Sequence, residues 1–123
     1  MKKLKTKINE QDRYGYTALH YAARNDRIDV LKYLISLGDI EVNLTTNGGA
    51  SALHRAAIGK GTDAVLLLLG CNTVDTSLVD DENQNFMHKV AQAKKVTLFD
   101  TLLVKYGHLN VPDKKGKLPA DYL

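Results

Sequence analysis

Tryptophan is absent from this 123-residue chain, and cysteine occurs once, at Cys71. One thiol cannot close an internal disulfide, so a disulfide-stapled secreted scaffold is excluded. A reducing, intracellular setting, cytoplasm or nucleus, is expected, with Cys71 read as a small core residue in the run "AVLLLLGC". The longest strongly apolar stretch, Ala64 to Leu69, is far too short to cross a bilayer, and no hydrophobic stretch of signal-peptide length follows the basic start "MKKLKTK". Membrane insertion is therefore not expected. A large excess of one charge is also missing: 17 Lys and Arg face 14 Asp and Glu, a formal +3. Nucleic-acid binding needs a denser basic face. Contact through Arg13, Arg24, Arg27 and Arg55 is the reading to weigh, and a nucleic-acid partner is not expected. What is present is enough apolar content, 44%, to bury a core.

The chain repeats itself. "GYTALHYAA" at Gly15–Ala23 returns as "GASALHRAA" at Gly49–Ala57 and, altered, as "NQNFMHKVA" at Asn83–Ala91. His20, His54 and His88 are therefore spaced by 34 residues. A clipped copy, "DKKGKLPADYL", closes the chain. After each histidine comes a run with apolar residues at helical spacing, such as Val30, Leu31, Leu34, Ile35 and Leu37. Each unit reads as a turn, a short helix, a tight connection, a longer helix and a loop. One unit cannot cover its own apolar face, but stacked units can.

These features resemble the ankyrin repeat family, whose signature T-P-L-H-x-A is matched by Thr17–Ala22 and Ser51–Ala56. Asp12–Gly15 and Asp113–Gly116 match its D-x-x-G turn. The resemblance implies an all-α solenoid of helix-turn-helix units with β-hairpin-like loops. One domain over residues 1–123 is expected, with repeats at about 10–43, 44–79 and 80–112, a partial repeat at 113–123, and residues 1–9 as an arm or the end of a preceding partial repeat. Departures are visible. Asp26, Lys60 and Lys94 stand where glycine normally separates the two helices, and a lysine there costs about 1 kcal/mol unless Gly59 or Gly61 moves the turn. Val90 replaces an alanine, which predicts looser stacking of the third unit.

The recurring polar residues read as mechanics rather than chemistry. Thr17, Ser51 and Asn85 sit where first helices begin and are good N-caps. A histidine three residues later can bond back to the cap. Three copies in one small chain argue against an active site, and histidines on successive layers are too far apart to share zinc. "GKGT" at Gly59–Thr62 lacks P-loop spacing. "DDEN" at Asp80–Asn83 lacks alternating calcium ligands and reads as an acidic tip held in water. No cofactor, metal or catalytic residue is expected.

Function then falls to positions that vary between copies. In the family the resemblance names, partners contact the hairpin tips and the concave side of the first helices. Here the tip positions are Arg13, Tyr14 and Tyr16, then Asn47 and Ala50, then Asp81, Glu82 and Gln84, and finally Lys114 and Lys115. The first-helix positions are Tyr21, Arg24 and Asn25, then Arg55 and Ile58, then Lys89 and Gln92. The N-terminal group is rich in tyrosine and arginine, which interfaces favour. The expected role is a monomeric, non-enzymatic adaptor whose protein partner offers acidic and apolar groups. The alternative is a regulatory or substrate-recruiting segment of a larger enzyme. Asn43, on the loop after the second helix, is a candidate for hydroxylation by analogy with the same family.

Overall fold

The structure is a computed structural model that describes residues 7–123. Three inner helices, α1 (Ala18–Arg24), α3 (Ala52–Ile58) and α5 (Phe86–Gln92), alternate with three outer ones, α2 (Ile28–Ser36), α4 (Asp63–Leu69) and α6 (Val96–Tyr106). Each inner helix starts for the same local reason. The side-chain oxygen of Thr17, Ser51 or Asn85 accepts a backbone N–H one turn on, and the ring of His20, His54 or His88 accepts the N–H of the cap residue. This is a reciprocal capping box with histidine in the place glutamate usually takes.

The inner helices pack side by side, and a final 3₁₀ turn, Pro119–Tyr122, lies against α5 as a truncated fourth layer. Small side chains make the close approach feasible: Ala22, Ala23, Ala56, Ala57 and Ala91 are buried between layers. Leu19, Leu53 and Met87 fill the inner row, while Leu31, Leu34, Val65, Leu68, Phe99 and Leu102 come from the outer one. Val90, standing in the alanine position of the third unit, is fully buried, 0% exposed. Cys71 is only half-buried, at the edge of the core, with Sγ 3.3 Å from Thr73 Oγ1.

The loops between repeats turn back on themselves, each closed by two backbone bonds: Asp12 N–H to Tyr16 O at 2.8 Å and Gly15 N–H to Asp12 O at 2.9 Å, with equivalents at Thr46, Asp80 and Asp113. That is too little pairing for a strand, and none occurs among the described residues. Gly15, Gly49 and Gly116 take the left-handed backbone these turns require, and Asn83 takes it in the third (φ 59°). Neighbouring tips are tied together by Asn47 N–H to Tyr14 O (2.9 Å), Asp81 N–H to Gly48 O (3.0 Å) and Lys114 N–H to Glu82 O (3.0 Å).

The turns between paired helices follow two designs. Asp26 (φ 56°) and Lys94 (φ 60°) accept left-handed backbone despite their side chains. Lys60 does not; its turn is displaced instead. A Cβ on Gly59 would lie 2.4 Å from Arg24 O, and one on Gly61 would lie 2.2 Å from Asp26 Oδ2. The two glycines let the second repeat press against the first. Asp26 Oδ1 accepts the N–H of Ala64 at 3.0 Å, and Lys95 from the third repeat donates to Ala56 O, Ala57 O and Gly61 O. Burial pushes the Lys95 ammonium below its ordinary pKa, with Asp26 partly offsetting this. The boundaries expected for the arm rest on residues 1–6, which lie outside the described residues. Lys7 and Ile8 have helical backbone.

Candidate functional site

The three histidines are joints between layers. With Nδ1 accepting the cap N–H, Nε2 carries the proton and donates to a carbonyl of the next repeat: Ala50 O (3.1 Å), Gln84 O (2.8 Å) and Lys117 O (3.2 Å). Burial pushes all three pKa values down, favouring the neutral ring, although the carbonyl bonds work the other way. Among the described residues no group of three His, Cys, Asp or Glu could hold a metal. Asn9 and Asn43 are a second set of joints. Asn43 Nδ2 donates to Thr73 O (2.9 Å) and Oδ1 accepts Asp75 N–H (2.8 Å), as Asn9 does with Asp39 O and Glu41 N–H. The Asn43 amide is thus committed at both ends.

The variable positions divide into two populations. Toward the N-terminus they line an open depression of about 610 Å³ between the first two tips, with Tyr14, Tyr16, Tyr21, Arg24, Asn47, Ala50 and Arg55 in its walls. Tyr16 and Tyr21 lie 4.9 Å apart between ring centroids, and the Arg55 guanidinium stands over Tyr16 at 5.5 Å. Tyr21 Oη donates to Asp12 Oδ2 at 2.5 Å. This bond, helped by tip N–H groups and Arg13, holds the Asp12 carboxyl below its usual range and raises the Tyr21 phenol. Arg13 folds onto Tyr14, Nη2 to Oη at 2.7 Å, and Asn47 Nδ2 bridges to Arg13 O. Asn25, half-buried, donates to Tyr21 O and borders a separate shallow groove with Arg27. Ile58 is half-buried outside the depression.

Toward the C-terminus the same positions are used internally. Gln84, expected at an exposed tip, is 6% exposed. Its amide donates to Asp113 Oδ2 (2.9 Å) and Tyr122 Oη (3.2 Å) and accepts from Lys89 Nζ (2.8 Å) and Gln92 Nε2 (3.0 Å). Gln84 is buried because Tyr122 and Asp113 of the last unit close over it. Asp80, expected in water, is half-buried and pairs with Lys89 at 2.9 Å. Burial opposes ionisation of Asp80, but Lys89 and the tip N–H groups outweigh it and lower the pKa. Asp113 is held well below the usual carboxylate range, first by Tyr122 and then by Gln84 and two backbone donors. Lys89, Gln84 and Gln92 are therefore bonded to one another within the chain, whereas Asp81, Glu82, Lys114 and Lys115 are exposed at their tips.

A profile for ankyrin repeats (3 copies) matches residues 1–80. Over 43 residues, 35% of the chain, the sequence is 44% identical to a protein of Rickettsia bellii (strain RML369-C) described as an ankyrin repeat protein. The matched part spans 44% of that relative's length. No helix among the described residues is long and apolar enough to cross a membrane.

Proposed function

Starting from a chain that belongs to the ankyrin repeat family, we propose that it is a non-enzymatic interaction module that grips a partner protein with the depression between its first two tips. Ankyrin repeats are generally protein–protein interaction modules. The observation that carries the reading is the imbalance between the two halves. In the C-terminal half the polar side chains of the concave side satisfy one another around Gln84. In the N-terminal half Arg24 and Arg55 make no side-chain hydrogen bond or ion pair among the described residues, beside Tyr16 and Tyr21. Aromatic area next to unpaired guanidinium groups, displayed on a rigid stack, is the composition of a binding hot spot. The partner complement is acidic and apolar.

The test compares proteins retained by immobilised wild type and by Tyr21→Ala with Arg55→Ala, after circular dichroism confirms that the variant is folded. Partners held by the wild type are expected to be lost from the variant. Equal retention would remove the depression as the binding surface.

A further inference from the structure

The four tips share one device, and one copy lacks half of it. Oδ1 of Asp12, Asp80 and Asp113 accepts two backbone N–H groups of its own tip. Oδ2 of each accepts from the side chain nine residues on: Tyr21 at 2.5 Å, Lys89 at 2.9 Å, and Tyr122. In the second repeat the acid is replaced by Thr46, whose hydroxyl accepts Ala50 N–H at 3.2 Å and has no second oxygen to offer. Nine residues on stands Arg55. Among the described residues its guanidinium has no carboxylate, and its Nε is buried without a hydrogen-bond partner. Leaving such a donor unsatisfied is costly, more so when it is charged.

We infer that the second repeat takes its missing carboxylate from outside: an Asp or Glu side chain of a partner polypeptide seats on Arg55 in the depression that Thr46 and Arg24 also line. The two terminal nitrogens of the guanidinium suit a carboxylate in two-bond geometry, with Nε itself enclosed behind them. Asp80 also lines the depression, but neither it nor Asp12 occupies Arg55, because Asp12 is committed to Tyr21 and Asp80 to Lys89. Arg24 adds positive charge to the same wall, and the Tyr16–Tyr21 pair offers an apolar platform for the residue flanking the acid. This rests on the interaction reading above and specifies what the partner must present.

Thr46→Asp supplies the acid from within, as the sibling tips do, and should silence the site while leaving the fold intact. Wild type, Thr46→Asp and Tyr21→Ala are each used to select from a phage-displayed library of random dodecapeptides. Peptides chosen by the wild type are expected to carry Asp or Glu at one fixed position beside an apolar residue. A synthetic selected peptide should bind about tenfold more weakly with Gln in place of that acid, and about tenfold more weakly to Thr46→Asp, the order expected for one charged hydrogen-bonded pair. The Thr46→Asp protein should melt no lower than the wild type. Equal binding of the acid and amide peptides, or unchanged binding by Thr46→Asp, would overturn the carboxylate assignment. Binding that is then still weakened by Tyr21→Ala would leave the interaction surface standing. If the wild type selects no peptide sensitive to Tyr21→Ala, both readings fall.

Discussion

Replacing His54 with alanine removes the joint between the second and third repeats. His54 is 2% exposed, and it satisfies two groups at once: the N–H of Ser51, through Nδ1 at 3.2 Å, and the carbonyl of Gln84, through Nε2 at 2.8 Å. Each orphaned buried group costs about 1–3 kcal/mol. Adding the cavity left by the ring, the loss should total roughly 3–5 kcal/mol, a large share of the 5–15 kcal/mol typical of a whole domain. The melting temperature should fall by roughly 12–20 °C, at about 4 °C per kcal/mol for a domain of this size. His20→Ala and His88→Ala should cost less, because their partners Ala50 O and Lys117 O are only part-buried. His54→Gln keeps a capping-box acceptor and should recover part of the loss. Urea unfolding at pH 8, followed by circular dichroism, measures all four. A loss under about 1 kcal/mol for His54→Ala, or a larger loss for His20→Ala, would refute the joint as the source of the stability.

Acid should weaken the stack through the same histidines. Their folded pKa values are pushed below the ordinary 6.5, so the unfolded chain binds protons first. The stabilisation is complete above about pH 6.5 and is lost as pH falls toward the folded values, by about 1.4 kcal/mol per pH unit for each histidine; a pH series of urea midpoints that stays flat from 7 to 5 would contradict this. Below about pH 3.8 the lowered pKa values of Asp12, Asp80 and Asp113 add a second loss of the same sign. Lys95→Met withdraws the donor from three carbonyls of the second repeat and should cost about 2 kcal/mol, with Lys95→Arg failing to restore it because a planar fork does not match three converging carbonyls. Hydrogen exchange should show the protection lost at α3 and α4. Gly59→Ala places a methyl against two backbone carbonyls, Arg24 O and Arg55 O, and should cost about 2 kcal/mol. At Gly61 the nearest atoms a methyl would meet belong to the Asp26 side chain rather than to backbone, so Gly61→Ala should cost less.

Much of the fold is legible because its causes are local and repeated. A cap residue, a histidine three positions on and a stripe of leucines each act within one or two turns of helix, so their 34-residue recurrence announces the units directly. The displaced turn is readable from the two glycines that flank Lys60 rather than from the lysine, since Lys94 accepts the left-handed backbone at the equivalent place. The candidate site was legible only in part. Variability between copies picks out Tyr21, Arg24 and Arg55, but it picks out Gln84, Lys89 and Gln92 equally. The recurrence of an acid with a donor nine residues later, at Asp12, Asp80 and Asp113 but not at Thr46, was a signal available in the sequence; it gains meaning only when the bonds are seen.

The amino-acid order by itself determined the 34-residue spacing of the inner-helix starts, their capping, and the absence of any internal disulfide, since each depends on residues close in the chain or on composition alone. The tertiary structure decided which polar side chains are free. Gln84 is closed over by Asp113 and Tyr122, Lys95 reaches back to Ala56 and Gly61, and Asp26 caps Ala64, across separations of 29 to 39 residues. Stacking brings such groups within 3.2 Å of one another and, among the described residues, leaves Arg55 without an acid. Hydrogen bonds depend on distance in space, which periodicity along the chain constrains but does not assign.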